Sequence, residues 1–247
     1  MPNGLLLLHA FPLDASMWAP QLAATRGDAA VVAPNFPGFG GEPLSGDVTT
    51  MDECAERAAA EVAASGLDRV VVCGLSMGGY VALAFWRNFR ERVAGLVLAN
   101  TRAGPDDEAG RERRRALAER LRAEGSAFLV DSPPPLLSAD APAELWNQVK
   151  SIIAAQSAEA IAAASLGMAE RPDSSADLPE IDVPTLVITS TGDTLIPPDA
   201  TSPMADEIPG AHLEVIEGAG HISNLQAPQE FNQLIRTHLV RCGVLTG

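Results

Sequence analysis

A serine nucleophile is indicated by Gly74-Leu75-Ser76-Met77-Gly78, which directly follows the apolar run Arg69–Cys73. A strand that ends in G-x-S-x-G and precedes a helical pattern is typical of a sharp turn that exposes the serine hydroxyl above a sheet. Glycine is needed on both sides because side chains there would collide with the neighbouring strand and helix. A hydroxyl is a weak nucleophile until a base takes its proton. The segment therefore predicts Ser76 as nucleophile and requires a base and an acid elsewhere.

The required acid and base follow two later strand patterns. Asp193 comes shortly after the run Pro184–Ser190, and His221 follows the alternating run Ala211–Ile216. Because parallel strands bring their carboxyl ends to one edge of a sheet, we expect both side chains to meet Ser76 there. His221 would act as the base and Asp193 would orient its imidazole. Asp199 and Asp182 are alternative positions for the acid.

Four separated segments make the chain resemble the α/β-hydrolase superfamily over nearly its whole length. They are the run 5–13, the loop 35–40, the serine turn, and the paired Asp193 and His221 segments. Segments 167–173 and 220–228 further resemble small bacterial esterases and enzymes similar to 3-oxoadipate enol-lactonase. The resemblance implies ester cleavage through an acyl-enzyme, with no cofactor. It also implies an oxyanion hole made by the backbone N–H groups of Met77 and Phe11.

The chain departs from the superfamily pattern at its beginning. Ala10 stands where the superfamily usually has glycine, and it would be strained by about 1 kcal/mol if that position needs a positive φ. The antiparallel strand pair that usually precedes the oxyanion strand is missing, because Leu5 lies only four residues from the N-terminus. We therefore expect an α/β fold with a mostly parallel sheet of about six strands.

Strand-like and helix-like patterns alternate along the chain, which predicts a parallel sheet covered by helices on both faces. The strand patterns span 5–9, 30–34, 69–73, 93–100, 184–190 and 211–216. The helical patterns between them span 17–24, 51–65, 79–89, 200–208 and 228–241. Of the histidines, His9 should support the oxyanion loop, whereas His212 begins an exposed strand and His238 lies on the last helix.

Residues 103–178 break the alternation and contain helical patterns at 106–124, 141–154 and 158–171. We expect a helical cap inserted into a hydrolase core formed by 1–102 and 179–247, by analogy with the superfamily. Arginines at 111, 113, 114, 115, 120 and 122 alternate with acidic residues. This spacing favours a solvated helix face with i,i+4 ion pairs.

Composition excludes several classes of partner. The formal net charge is −15 and the isoelectric point about 4.6, which argues against nucleic acid and anionic membranes. No His, Cys and Asp cluster has the spacing of a metal site. Three cysteines without C-x-x-C spacing imply no disulfide framework and fit a reducing cytoplasm. No targeting signal is recognisable, so the expected location is cytoplasmic.

The sequence indicates a small-molecule ester as substrate without naming it. Candidates for the substrate pocket are Phe11, Trp18, Phe39, Phe128, Trp146 and Met168, with Trp146 and Met168 expected in an apolar cleft under the cap. Such a cleft and the negative net charge favour neutral esters. One alternative is a lactonase, for enol-lactones or acyl-homoserine lactones; Arg102 or Arg171 could bind the carboxylates of an anionic lactone. Another is a ligand receptor or signalling adaptor that retains the three catalytic residue types.

Overall fold

The computed structural model describes residues 3–246, and its centre is a six-stranded sheet. The strands are β1 (Asn3–Leu8), β2 (Ala30–Val32), β3 (Arg69–Leu75), β4 (Val93–Ala99), β5 (Thr185–Ser190) and β6 (His212–Ile216). Their spatial order is β2-β1-β3-β4-β5-β6, and every neighbouring pair is parallel. The predicted α/β class and the six strands are confirmed, and no antiparallel pair occurs within the described residues.

Eleven α-helices surround the sheet in the part of the chain that the structure describes. They are α1 (Ala19–Thr25), α2 (Met51–Ala64), α3 (Met77–Asn88), α4 (Glu108–Glu124), α5 (Ala127–Asp131), α6 (Ala143–Ala154), α7 (Ala158–Glu170), α8 (Pro198–Thr201), α9 (Pro203–Glu207), α10 (Ser223–Gln226) and α11 (Pro228–Arg241). The single helix predicted over 200–208 is wrong: Pro203 starts a second short helix, because proline supplies no N–H to continue the first.

The central strands are apolar on both faces because helices cover both sides of the sheet. Leu5 to Leu8 in β1 and Val70 to Cys73 in β3 are fully buried. Burying one such side chain contributes about 1.5–3 kcal/mol relative to leaving it exposed. This continuous apolar core holds the carboxyl ends of the strands in fixed positions along one edge.

The helices α4 to α7 all lie between β4 and β5 in the chain. The side chains of Asp107 and Ser157 accept hydrogen bonds from the first turns of α4 and α7 and so fix where these helices begin. Helix α7 is buried on most of its surface and packs against α4. Gly167 has no room for a side chain, because a Cβ there would collide with the carbonyl oxygen of Thr49.

Ion pairs are present on the arginine-rich helix α4, but of those described within the helix only Arg120–Glu124 has the predicted i,i+4 spacing. Arg115 contacts Glu108 and Glu112, and Arg120 contacts Glu124, all at the surface. The prediction of one solvated face is wrong for Arg114, which is partly buried and lines a cleft; Arg113 is exposed as predicted and lies at the same cleft.

The described residues contain no single helix that could span a membrane, no disulfide and no metal-binding cluster. No single helix is long and apolar enough to cross a membrane, and the only helix pair that passes the same test together is bent by 93°. The three cysteines are free. Residues 3–246 contain no group of three or more His, Cys, Asp or Glu side chains arranged to hold a metal ion.

Candidate active site

Ser76 lies on a tight turn between β3 and α3. Its backbone is strained, with φ 57° and ψ −116°. The turn is held by the Ser76 N–H, which donates to the carbonyl of Ala99 at 3.0 Å. A Cβ at Gly74 would collide with the carbonyl oxygen of Gly78, and one at Gly78 with that of Leu8. The glycine spacing in the sequence is therefore explained by close backbone approach.

The structure brings the three predicted catalytic side chains together at the carboxyl edge of the sheet. Ser76 Oγ lies 2.7 Å from His221 Nε2, and His221 Nδ1 lies 2.7 Å from Asp193 Oδ2. An ionised carboxylate can only accept, so Nδ1 carries the proton and Nε2 of a neutral ring accepts from the serine hydroxyl. All three residues are buried or nearly so.

The Asp193 carboxylate is held from every side. Its Oδ1 accepts hydrogen bonds from the backbone N–H groups of Leu195 and Ile196, each at 2.9 Å. Its Oδ2 accepts from His221 and from the amide of Asn100. The alternative acids Asp199 and Asp182 are both exposed at the surface. Asp193 is therefore the carboxylate that the fold places against the imidazole.

Asn100, which the sequence reasoning missed, links the loops that carry these residues. It follows β4, is fully buried and has φ 45°. Its amide nitrogen donates to Asp193 Oδ2 at 3.0 Å and to Ser190 Oγ at 2.6 Å, while its oxygen accepts from Ser223 Oγ at 2.7 Å. Its position in the sequence could have indicated a role at the site, because Asn100 directly follows a parallel strand that ends at the same edge of the sheet.

Of the two expected oxyanion donors, Met77 directly follows Ser76 and Phe11 lines the same cleft as Ser76. Met77 is the first residue of α3, a position whose N–H has no partner within the helix. The Phe11 N–H donates to no backbone carbonyl within residues 3–246. Ser76 and Asn100 are the two non-glycine residues with positive φ in the described chain, so Ala10 adopts no left-handed backbone. The position therefore needs no positive φ, and the strain that such a φ would have imposed on Ala10 is absent.

His9 supports the loop that carries Phe11, as its position suggested. The ring Nε2 accepts from the N–H of Phe36, and Nδ1 lies 3.1 Å from the carbonyl of Ala10. Burial lowers the pKa of His9 to about 4, because an apolar environment disfavours the charged ring. His9 therefore serves as a neutral structural link between two loops.

A cleft of about 360 Å³ opens above Ser76 and His221. Its apolar lining consists of Phe11, Leu117, Pro134, Leu136, Met168, Leu195 and Ile196. Of the residues predicted to line an apolar cleft, Met168 is present, but Trp146 is absent from the lining. Trp146 instead packs, half-buried, against the hydrophobic core. Trp18 and Phe39 are fully buried in that core.

Part of the cleft lining is basic, and we call it the arginine side: Arg102, Arg113 and Arg114. Arg102 follows β4, and the other two lie on α4. Gly110, Arg113, Arg114 and Leu117 recur at helical spacing, so one face of α4 meets the cleft. The i,i+3 and i,i+4 spacing was visible in the sequence, but which face turned inward depends on packing against α7.

Asp106 organises the arginine side. Its buried carboxylate forms ion pairs with Arg102, Arg114 and Arg171. Arg171 is itself buried and stacks over the Tyr80 ring, so it supports Asp106 from below and does not line the cleft. Burial alone would raise the pKa of Asp106. The hydrogen bonds and charges of Arg171 and Arg114 outweigh this and hold it well below its ordinary value.

Comparisons with known proteins agree with this architecture. An esterase from Thermogutta terrifontis, described with malate bound, is 39% identical, with a TM-score of 0.93 over 98% of this chain and 92% of its own. An enol-lactonase from Burkholderia xenovorans is 26% identical, with a TM-score of 0.87 over 97% of this chain and 91% of its own.

A curated relative extends the sequence comparison. The 3-oxoadipate enol-lactonase 1 of Acinetobacter baylyi is 29% identical over 225 residues, covering 90% of this chain and 82% of the relative. The model of the alpha/beta hydrolase family matches residues 5–234. The chain belongs to the alpha/beta hydrolase family.

Proposed function

We propose that this protein is a serine hydrolase that cleaves carboxylic esters of small molecules through an acyl-enzyme. The observation that carries the proposal is the chain of two 2.7 Å hydrogen bonds from Ser76 through His221 to Asp193. Ser76 and His221 line a cleft that is large enough for a small substrate. The esterase and enol-lactonase relatives support the same reaction class.

The geometry suits acyl transfer in two steps. His221 Nε2 would take the proton of Ser76 Oγ as that oxygen attacks the ester carbonyl carbon. The resulting oxyanion would be stabilised by the N–H groups of Phe11 and Met77. Collapse breaks the bond to the alcohol oxygen, which receives the proton from His221. Water, deprotonated by His221, then attacks the acyl carbon. The bond from that carbon to Ser76 Oγ breaks, Oγ takes the proton back from His221, and the acid is released.

The helical insertion 103–178 serves in this proposal as the cap of the hydrolase core. It contributes Asp106, Leu117, Leu136 and Met168 to the lining above Ser76. The apolar lining suits a short to medium acyl group, because burying apolar surface is favourable by about 25 cal/mol per Å². A lactone would use the same three residues, with the ring oxygen as the leaving group.

A receptor function is less well supported. A protein partner would favour a large exposed apolar patch on the insertion. In residues 3–246 the large apolar side chains that are exposed are Leu22, Leu44, Leu195, Leu213, Val215 and Val240. None of these belongs to the insertion, whereas the cleft above Ser76 is equipped for chemistry.

The test is to label and to remove the nucleophile. A serine-directed fluorophosphonate should modify Ser76 alone, as read by mass spectrometry of the digested protein. Ser76→Ala should abolish hydrolysis of p-nitrophenyl butyrate and keep the unfolding temperature of the wild type. Ser223→Ala, which alters a nearby buried hydroxyl that contacts Asn100, should retain labelling at Ser76. Labelling of another serine, or full activity in Ser76→Ala, would contradict the proposal.

A further inference from the structure

The arginine side of the cleft carries an excess of positive charge. One carboxylate, Asp106, faces the guanidinium groups of Arg102, Arg114 and Arg171, so two positive charges are uncompensated within the cluster. Arg113 adds another, since no carboxylate of residues 3–246 lies within 4.0 Å of it. A net charge of −15 for the whole chain makes this local excess unusual.

The excess is fixed in place by buried contacts. Arg171 donates a hydrogen bond to Asp106 Oδ1 at 3.1 Å, forms an ion-pair contact with Oδ2 at 3.0 Å, and donates to the carbonyls of Met168 and Gly104. Asp106 in turn holds Arg102 and Arg114 at the cleft surface, where their side chains are 37% and 21% exposed. A surface ion-pair network has no need of such a support, but a binding surface gains from preorganised donors.

We propose that the arginine side is a carboxylate subsite, and that the substrates are esters or lactones carrying a free carboxylate. A guanidinium group offers a planar fork of N–H donors that matches a carboxylate in two parallel hydrogen bonds. Ser76, His221 and the three arginines line one cleft, so a single small molecule can present its carbonyl to Ser76 and its carboxylate to the arginines. This inference rests on the proposed function and names its substrate class.

A carboxylate subsite favours anionic substrates, whereas the negative net charge had led us to expect neutral ones. Exposed charges farther apart than about 8 Å are largely screened at physiological ionic strength, so distant acidic residues weigh little inside the cleft. The arginines lining the cleft can act at contact distance, where Coulomb attraction is stronger and less screened. The local charge, and not the total, therefore sets the preference.

Two matched substrate pairs provide the kinetic test. Monomethyl glutarate is compared with methyl pentanoate, and 4-acetoxybutyrate with butyl acetate, so that the carboxylate lies once on the acyl part and once on the alcohol part. We expect kcat/KM for the charged member of at least one pair to exceed that of its neutral partner by about tenfold or more. Arg113→Gln should lower that ratio by about fivefold or more, because it removes a cleft guanidinium without breaking an ion pair.

Arg115→Gln is the matched control, since it removes a neighbouring arginine that faces Glu108 and Glu112 at the surface. It should leave the ratio within about twofold of the wild type. No preference for either charged ester, or an Arg113→Gln ratio equal to the wild type, would overturn the subsite while Ser76-dependent hydrolysis of the neutral esters still supported the proposed function.

A binding measurement keeps the subsite testable if no ester is hydrolysed. Calorimetric titration of the wild-type protein with pentanoate should show tighter binding than with the uncharged pentanamide, and Arg113→Gln should reduce the difference. Equal binding of the acid and the amide would overturn the subsite independently of catalysis.

Discussion

The sheet edge and the arginine side face the same cleft but are built in different ways. At the sheet edge, Ser76, Asn100 and Asp193 each follow a strand of a buried parallel sheet, and their hydrogen bonds are all satisfied internally. On the arginine side, Arg102, Arg114 and Arg171 gather around Asp106 and leave positive charge uncompensated. The internally satisfied network at the sheet edge suits residues that must keep one geometry during a reaction. The uncompensated positive charge on the arginine side suits the binding of an anionic ligand.

The largest effect should come from breaking the sheet-edge network at its acid. Asp193→Asn should lower kcat by up to about 10⁴-fold, because an amide in this position favours the wrong tautomer of His221. Asp199→Asn, a change at the exposed alternative position, should keep kcat near the wild-type value. Steady-state kinetics with p-nitrophenyl butyrate measures both. Loss of activity in Asp199→Asn with retention in Asp193→Asn would show that Asp199, and not Asp193, is the catalytic acid.

On the arginine side the corresponding change should affect stability first. Asp106→Asn removes the charge that compensates the buried Arg171 and should lower the free energy of unfolding by about 3–5 kcal/mol. Glu180→Gln breaks an exposed pair with Arg90 and should cost about 1 kcal/mol or less. Urea unfolding gives both values. Equal costs for the two variants would show that Asp106 does not organise the cluster.

On acidification, the buried histidines His9 and His238 should lower the free energy of unfolding at a higher pH than Asp106 does. Burial lowers the pKa values of His9 and His238 to about 4, below the value of about 6.5 in an unfolded chain. The unfolded chain therefore binds more protons between pH 6.5 and 4, and stability is lost as the pH falls through that window. Each histidine should cost about 2 kcal/mol between pH 7 and 5.

The pKa of Asp106 is also lowered, so its contribution to stability is likewise lost on acidification, but in a more acidic window than that of the histidines. It lies below its unfolded value, so its contribution is present above about pH 4 and is lost only at lower pH. Urea unfolding at pH 7 and 5 therefore isolates the histidines. His238→Asn should reduce the pH dependence, and a change at the exposed His212 should not. Equal stability of the wild type at pH 7 and 5 would contradict this account.

A smaller effect is expected where Asn100 holds Asp193. Asn100→Ala removes one hydrogen bond to the carboxylate and should lower kcat by about tenfold. KM should stay nearly constant, because Asn100 does not line the cleft. Asn88→Ala, at an exposed asparagine that contacts Asp52, is the control and should alter neither constant. A rise in KM with kcat unchanged would show that Asn100 does not act by positioning Asp193.

The sheet edge could be predicted from the sequence, whereas the arginine side could not. Strand patterns place Ser76, Asp193 and His221 at one edge, because a parallel sheet imposes that geometry on any residue following its strands. The run Arg113-Arg114-Arg115 carries no such constraint. Its members have the same chemistry, and only the packing of α4 against α7 decides that two face the cleft and one faces solvent.

Trp146 fails as a prediction for the same reason. Its helical spacing shows that it lies on an apolar face, but the face packs against the core and not against the cleft. Met168 shares that ambiguity in the sequence and lies on the cleft side. In a helical insertion, apolar periodicity identifies a buried face without naming what covers it.

The central claim is that the sheet edge performs the reaction and the arginine side selects the substrate. It is tested most directly by one ratio, kcat/KM for the preferred charged ester over that for its neutral partner. It is measured for the wild type, Asp193→Asn and Arg113→Gln. We predict that Asp193→Asn lowers both rate constants by the same factor and leaves the ratio unchanged, whereas Arg113→Gln lowers the ratio by about fivefold or more. A ratio that changes in Asp193→Asn and stays constant in Arg113→Gln would contradict the account.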